Sequence, residues 1–409
     1  METENSKYCP HCLPKKNKYH IEERVDFLVN KACYFFSKIS MSLISTSIFL
    51  RLSQKLSVSL IKILSALNLA EHEYDPEENR LRNRVLIFFK KGKELGLDLS
   101  AVKILGYYGD EFRLKHKGKT FYFPGVPIKI NDHGSFDADI REKEKFKKLL
   151  RKHDFPTPDG DTCYTYSKAK KIKENLEYPL VVKPADGSLS AHTFIKVSSD
   201  EKFKQAFEIA RQFRFKVMIE DYIPGDLFRA TTIGQEKVYV CKKEPANVVG
   251  DGQSNLKELI KKKNSNPKRG GVNQRNTTLH KIPNNEFLNK NLKSKNITLD
   301  YVPDKEEKVY LHDKAILSQG CDVINKTTKT HPKTKEMLIK ISKIIDNNLI
   351  GFDFICTDPS KPPKQQEFAI IEANSFPYAD MHQIPSHGSA EPVAEKTWEM
   401  VLDRLERTN

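Results

Sequence analysis

The chain of 409 residues carries no apolar run long enough to span a bilayer, and its opening residues are polar and charged rather than a cleavable leader. The apolar stretch Ile39 to Leu50 is short and is followed by Arg51, Gln54 and Lys55. From there to Leu69 the apolar residues recur at helical spacing, which predicts an amphipathic helix packed on the rest of the protein. There is no internal repeat. The seven cysteines are scattered and odd in number, which argues against a disulfide framework and for reduced thiols in a cytoplasmic protein. A single CxxC, Cys9-Pro10-His11-Cys12, has no second pair to complete a zinc motif, even with His20 nearby. It is read as two free thiols on a disordered N-terminal end. The formal charge of +15 comes from 69 Lys and Arg against 54 Asp and Glu, yet no aromatic-interleaved basic stripe accompanies it. That excludes nucleic acid as the expected partner and leaves a polyanionic small ligand as the natural counterpart of the charge.

What is present is a soluble composition, 38% hydrophobic and 30% charged, in a length that suits two or three domains. Residues 1–75 read as a helical N-terminal region ending at Asp75-Pro76. Residues 76–138 read as a small α/β domain, with Val85 to Phe89 in a helix and strands at Val102 to Leu105 and Thr120 to Phe123. A charged amphipathic helix from Asp139 to His153 stops at Phe155-Pro156-Thr157-Pro158. Beyond it strands and helices alternate: strands at Leu180 to Val182 and Val217 to Ile219, a helix from Asp200 to Phe213, a hairpin from Thr231 to Cys241. The Asn- and Lys-rich stretch 261–300 is poor in apolar residues and reads as mobile loops or short helices. The fold class is α+β with mixed sheets.

The chemistry concentrates on two apolar strands. Ile370-Ile371-Glu372-Ala373-Asn374 places Glu372 and Asn374 on one face, because residues two apart on a strand point the same way. Gly351-Phe352-Asp353-Phe354-Ile355 puts Asp353 in a second such strand. Three hard oxygen ligands on neighbouring strands suit Mg²⁺, which keeps positions open for phosphate oxygens; taken alone, either strand reads first as a core element whose polar residues face solvent. Val181-Val182-Lys183-Pro184 ends an apolar strand in a lysine, followed by the small-residue loop Ala185-Asp186-Gly187-Ser188, whose amides can meet phosphate. The GxxxxGK[ST] spacing of a Walker loop is absent. Ile219-Glu220-Asp221-Tyr222-Ile223-Pro224-Gly225 ends the next strand in a turn, where an exposed edge offers the backbone donor and acceptor that an adenine edge needs.

In this order the pieces resemble the ATP-grasp superfamily, and most closely the ATP-grasp module of cyanophycin synthetase and of bifunctional glutathione synthetases. The resemblance runs from about Asp139 to Trp398. Its most specific stretch is Glu244-Pro245-Ala246-Asn247-Val248-Val249-Gly250-Asp251-Gly252 with Leu256-Lys257-Glu258-Leu259-Ile260. Asn266-Pro267-Lys268-Arg269-Gly270 and Met381-His382-Gln383-Ile384-Pro385-Ser386-His387-Gly388 continue it. The resemblance implies an ATP-grasp fold, two α+β subdomains clasping the nucleotide, over residues 139–405, with lobes at 139–225 and 226–405. It implies nucleotide contacts from Lys143 and Lys183, from the loop Asp186, Gly187 and Ser188, and from Asp226 at the ribose. Glu220, Asp221, Tyr222 and Ile223 would hold adenine. Arg229, Lys243 and Arg269 would face the phosphates or the acyl phosphate. Asp353, Glu372 and Asn374 would bind one or two Mg²⁺, with Mn²⁺ as a substitute.

The implied activity is an ATP-dependent, ADP-forming carboxylate–amine ligase, acting on an amino acid or peptide through an acyl phosphate; relatives of this kind are often homo-oligomers. Departures from the family pattern fall in three places. The ribose-binding carboxylate expected just before Phe228 is Leu227 here, with Asp226 adjacent as its substitute. The phosphate-covering loop of the close relatives reads DGNHGRGV, whereas here Ser188-Leu189-Ser190-Ala191-His192-Thr193 follows Asp186-Gly187, so two glycines and an arginine are missing. Glycine permits positive φ and close backbone approach, so the loop is expected to fold differently. The positions that lie near the acceptor in relatives are His312, Ile316 and Ser318-Gln319-Gly320-Cys321 here, so substrate identity does not transfer. The altered loop motivates one alternative, a catalytically degenerate ATP-binding regulatory protein. The N-terminal CxxC and basic helices motivate another, a scaffold for a partner or membrane. His192 reads as a loop hydrogen-bonder and His382 as a substrate contact.

Overall fold

The computed structural model describes residues 9, 11, 12, 19–21, 24, 25, 28, 64, 65, 67, 69–128, 140, 142–186, 190–271 and 274–407. The amphipathic helix expected between Ile39 and Leu69 lies almost wholly outside the described residues. Among the described residues no helix is long and apolar enough to cross a membrane.

Strands β1 (Ala70–Glu73), β2 (Asp98–Ile104), β3 (Tyr107–His116) and β4 (Lys119–Pro124) form an antiparallel meander. Its first strand begins at Ala70, inside the segment expected to be helical, because Ala70 to Glu73 finds a full antiparallel partner in Ala101 to Ile104. Helix Asn83–Glu94 buries Val85, Leu86, Phe88 and Phe89 against this sheet. The helix Val393–Arg407 from the far end of the chain completes the same core. Trp398 is fully buried there, with Phe112 and Phe123 edge-on at 6.1 and 5.9 Å, and its indole N–H donates to the Phe88 carbonyl at 2.8 Å. A buried indole needs such a partner for its one donor.

A second antiparallel sheet has the order β5-β8-β6-β7, from β5 (Gly160–Cys163), β6 (Leu180–Pro184), β7 (Phe194–Val197) and β8 (Val217–Asp221). Helix Asp200–Phe213 lays Phe203, Phe207 and Ala210 on its apolar face, and Ser199 caps the helix by accepting from the Lys202 amide.

The third sheet has the order β15-β10-β9-β16-β17, from β9 (Asp226–Ile233), β10 (Lys237–Glu244), β15 (Asp322–Asn325), β16 (Leu349–Cys356) and β17 (Phe368–Asn374). Alternation gives it one apolar face, where Phe228, Phe352, Phe354 and Ile370 meet helices Lys143–Lys152 and Pro332–Ile345. The rings of Phe228, Phe354 and Phe368 stack in sequence at 5.2 Å each. Burying each of these rings contributes about 1.5–3 kcal/mol. The opposite face carries the polar residues considered below.

The segment 261–300, read from composition as loops, is instead part of a small folded unit. Strands β11 (Asn247–Val249) and β14 (Lys308–Tyr310) pair, and helices Leu256–Asn264 and Glu286–Ser294 bury Leu256, Leu259, Ile260, Leu288 and Leu292. A capping box between Asn255 and Glu258 starts the first helix. Sparse apolar residues suffice because they fall on one face of each helix. The expected mixed sheets are antiparallel throughout, apart from the two-residue parallel pair of β12 (Arg269–Gly270) with β13 (Leu279–His280).

Candidate active site

Register places four strands' chemistry in one row. Cys241 pairs with Arg229, Arg229 with Asp353, and Asp353 with Glu372, so β10, β9, β16 and β17 present these side chains on the same face. Asn374 lies two residues beyond Glu372 and joins that face; its amide donates to Glu372 Oε1 at 3.4 Å. The Arg229 guanidinium grips Asp353 with two bonds, Nε to Oδ1 at 2.5 Å and Nη2 to Oδ2 at 2.9 Å. Burial pushes the Asp353 carboxyl up, but Arg229 and Lys243 outweigh it and hold it well below the usual carboxylate range. Burial lowers the Arg229 pKa while Asp353 raises it more, so the guanidinium stays charged. Its Nη1 is buried without a partner among the described residues. A buried cationic donor left open beside two carboxylates is a position for an incoming anionic oxygen. Gly351 makes room for this side chain, since a Cβ there would stand 3.1 Å from Arg229 Nη1.

The donor set fits Mg²⁺. Asp353 and Glu372 bring two hard carboxylates side by side across a strand pair, and Asn374 adds a carbonyl oxygen on the same face. Lys143, at the start of helix Lys143–Lys152, reaches Glu372 Oε2 at 3.5 Å, so this lysine meets the carboxylate row directly.

A second charged group lies in the β5–β8 sheet. Glu220 is buried at the end of β8 and its two oxygens each hold a lysine, Lys183 from β6 and Lys147 from helix Lys143–Lys152. Lys147, which the sequence reading passed over, is thus the buried lysine of that helix, one turn after Lys143. Burial alone would raise the Glu220 carboxyl, yet the two ammonium groups bring it down to about 2. Burial lowers Lys147 to about 8 against the pull of Glu220.

The sign of the pH dependence follows. With Glu220 depressed in the fold, the unfolded chain takes up this proton first as pH falls, so stability present above pH about 4.5 drains away toward pH about 2. At about 1.4 kcal/mol per pK unit the loss is on the order of 3 kcal/mol. Melting temperatures between pH 7 and 3 should therefore fall more steeply for the wild type than for Glu220→Gln, which lacks this titration.

The carboxylate of Glu220 holds the two lysines. One expectation about this strand is corrected: β8 is not an exposed edge. It is interior between β5 and β6, and the Asp221 amide donates to the Asp159 carbonyl at 3.0 Å while the Tyr222 amide donates to the Pro179 carbonyl at 3.2 Å. The chain leaves the sheet only at Ile223, ahead of β9.

The remaining predicted residues divide. Lys243 follows Cys241 by two residues on β10 and shares its face. Asp226 pairs with Lys242 at 2.8 Å. Arg269 belongs to another cluster: it ion-pairs with buried Asp322, donates to the His280 and Gly320 carbonyls at 2.7 and 3.1 Å, and shares Asp322 with Lys263 at 2.6 Å. Its partners are structural, and none is a carboxylate of the Asp353–Glu372 pair. Asp186 stands half-buried past the end of β6, and Gly187 and Ser188 lie outside the described residues. His382, expected to contact substrate, is buried on Thr231, Nε2 to Oγ1 at 2.9 Å, and burial with Arg229 nearby lowers it to about 3.

Comparison with known proteins agrees with this geometry. Residues 149–253 match the family described as D-ala D-ala ligase C-terminus. The Glutathione biosynthesis bifunctional protein GshAB of Clostridium perfringens is 30% identical over 260 residues, 63% of this chain and 33% of the relative. Cyanophycin synthetase of Trichormus variabilis is 31% identical over 262 residues, 64% of this chain and 29% of the relative. The chain therefore spans about a third of the length of these curated relatives. The crystal structure of a bifunctional glutathione synthetase from Pasteurella multocida superposes with a TM-score of 0.62 at 27% identity, covering 80% of this chain and 45% of that one. With the sheets, the carboxylate row and these matches together, this chain carries an ATP-grasp domain similar to those of these ligases.

Proposed function

We propose that the protein is an ATP-dependent, ADP-forming ligase that joins a carboxylate to an amine, with an amino acid or peptide as substrate. The observation that carries this reading is the row Arg229–Asp353–Glu372–Asn374, in which a buried guanidinium with one open donor stands beside two carboxylates and an amide. The relatives whose names denote glutathione and cyanophycin synthesis support the same class.

In this reading Asp353, Glu372 and Asn374 hold Mg²⁺, which when bound neutralises charge on the phosphates during transfer. Lys183 and Lys143 contact the nucleotide phosphates from the first lobe, and Glu220 fixes Lys183 in place. The substrate carboxylate oxygen attacks the γ-phosphorus, the bond to the bridging oxygen breaks, and ADP leaves with that electron pair. Arg229 Nη1 and Lys243 stabilise the charge on the transferred group. The amine then attacks the acyl carbon, phosphate departs, and the amine proton passes to solvent.

Phosphate release from Mg·ATP, screened over pairs of amino acids and dipeptides, tests this. Release is expected only when both co-substrates are present, above a low background with either alone. Tight Mg·ATP binding without turnover across the panel would replace the proposal with a regulatory nucleotide-binding role.

A further inference from the structure

The N-terminal CxxC, read from sequence as two free thiols, is folded into a buried cluster. Cys9, Cys12, His20 and His192 are all buried, and one ligand atom from each lies within 4.8 Å of every other. Cys9 Sγ stands 3.1 Å from His192 Nε2, and Cys12 Sγ stands 3.9 Å from the His20 ring nitrogens. Two thiols and two imidazoles gathered at one point are the donor set of a tetrahedral zinc site, where metal–sulfur and metal–nitrogen distances of about 2.3 and 2.0 Å need only a contraction of the cluster by about an ångström.

Two further contacts have the form that supports metal ligands. His192 Nδ1 donates to the Ile209 carbonyl at 2.6 Å, which fixes the tautomer and turns the Nε2 lone pair toward Cys9. The His11 amide donates to Cys9 Sγ at 3.4 Å, a bond that stabilises thiolate charge. The ordinary alternative, buried cysteines and histidines packed as core, leaves polar nitrogens facing sulfur where apolar side chains would serve better.

We propose that Cys9, Cys12, His20 and His192 form a structural Zn²⁺ site. It fastens the N-terminal segment to the loop between β6 and β7 and to the end of helix Asp200–Phe213. The docking continues beside the metal: the Arg24 guanidinium donates twice to the Gln212 carbonyl, at 3.1 and 2.9 Å, and the His192 amide donates to the His11 carbonyl at 3.1 Å. Ser190 and His192 both adopt left-handed φ, 55° and 50°, a conformation disfavoured for residues with a Cβ and held here by these anchors. On the proposed function, this is the loop that lies over the nucleotide phosphates, so a metal clamp takes the place of the missing glycines in setting its path.

Metal content of the untagged full-length protein, purified under reducing conditions, tests the site without any nucleotide, so its outcome is independent of ligase activity. About one zinc per chain is expected, with an X-ray absorption spectrum fitting two sulfur and two nitrogen ligands. Cys12→Ser and His192→Ala should each lose most of the zinc, while His11→Ala keeps it. The wild-type spectrum decides the ligand set even where a variant folds poorly. A zinc-free protein that fails to load from zinc chloride, a Cys9–Cys12 disulfide by mass spectrometry, or full retention of zinc in His192→Ala would each overturn the proposal.

Discussion

Glu372→Ala is expected to lower ATP-dependent phosphate release by at least about 100- to 1,000-fold, the scale set by removing one group that stabilises transferring charge in a closed site. The fold should survive. The Glu372 side chain is 28% exposed, and its ion pair with Lys143, at 3.5 Å, is long and reaches solvent. Such a pair contributes about 0–1 kcal/mol, which shifts the melting temperature by a few degrees at most, about 2–4 °C per kcal/mol for a domain of this size. Asp353 is the worse choice for the same question. Removing it takes away the carboxylate that the Arg229 guanidinium grips, leaving a buried cation without its ion-pair partner, so lost activity and lost stability would arrive together. Phosphate release and a thermal melt on Glu372→Ala separate the two. An active variant would move the metal site elsewhere; an unfolded one would make Glu372 structural.

The carboxylate row was legible because strand periodicity is a local rule. Glu372 and Asn374 had to share a face, and the apolar flanks of Asp353 identified a strand. Register across β9, β16 and β17 was not legible, and it is register that puts Arg229 on Asp353. The lysines show a subtler limit. Lys143 and Lys147 are one helical turn apart and share a face, so spacing cannot say which of them enters the core and which meets Glu372.

Family resemblance was most specific where the chemistry is least direct. Asn247 of the Pro245 to Gly252 run donates to buried Asp322, and Asp251 accepts from the Gln253 and Ser254 amides to make the turn before helix Leu256–Asn264. Gly250 lies against the Asp304 carbonyl, where a Cβ would not fit. In this structure the run makes turns and buried polar contacts, and Arg269 joins it at Asp322. The Cys9–His192 contact joins residues 183 apart in the chain, from a CxxC with no second motif to a loop read only for its lost glycines. No local rule connects them.

Glu220→Ala is expected to cost about 3–5 kcal/mol of stability, because it leaves two ammonium groups buried without their shared counter-charge. Lys147 and Glu220 are each only 3% exposed at the side chain and Lys183 is 7%, so water cannot take over the role of the carboxylate. Urea titration of the full chain measures this directly as a fall in midpoint with little change in slope. Glu220→Gln should behave similarly, since it preserves shape and removes only charge. The informative comparison is the triple variant Lys147→Met, Glu220→Leu, Lys183→Met. Apolar replacement of a whole buried ion cluster is often neutral or stabilising, so this variant should recover most of the lost stability. If it does so while losing affinity for Mg·ATP, the cluster is kept to place Lys183 at phosphate, and the fold bears the cost of that placement. Recovery of both stability and nucleotide affinity would instead show that the three charges do nothing for the ligand. An unchanged midpoint in Glu220→Ala would mean that solvent reaches both lysines, and the burial argument for this cluster would fail.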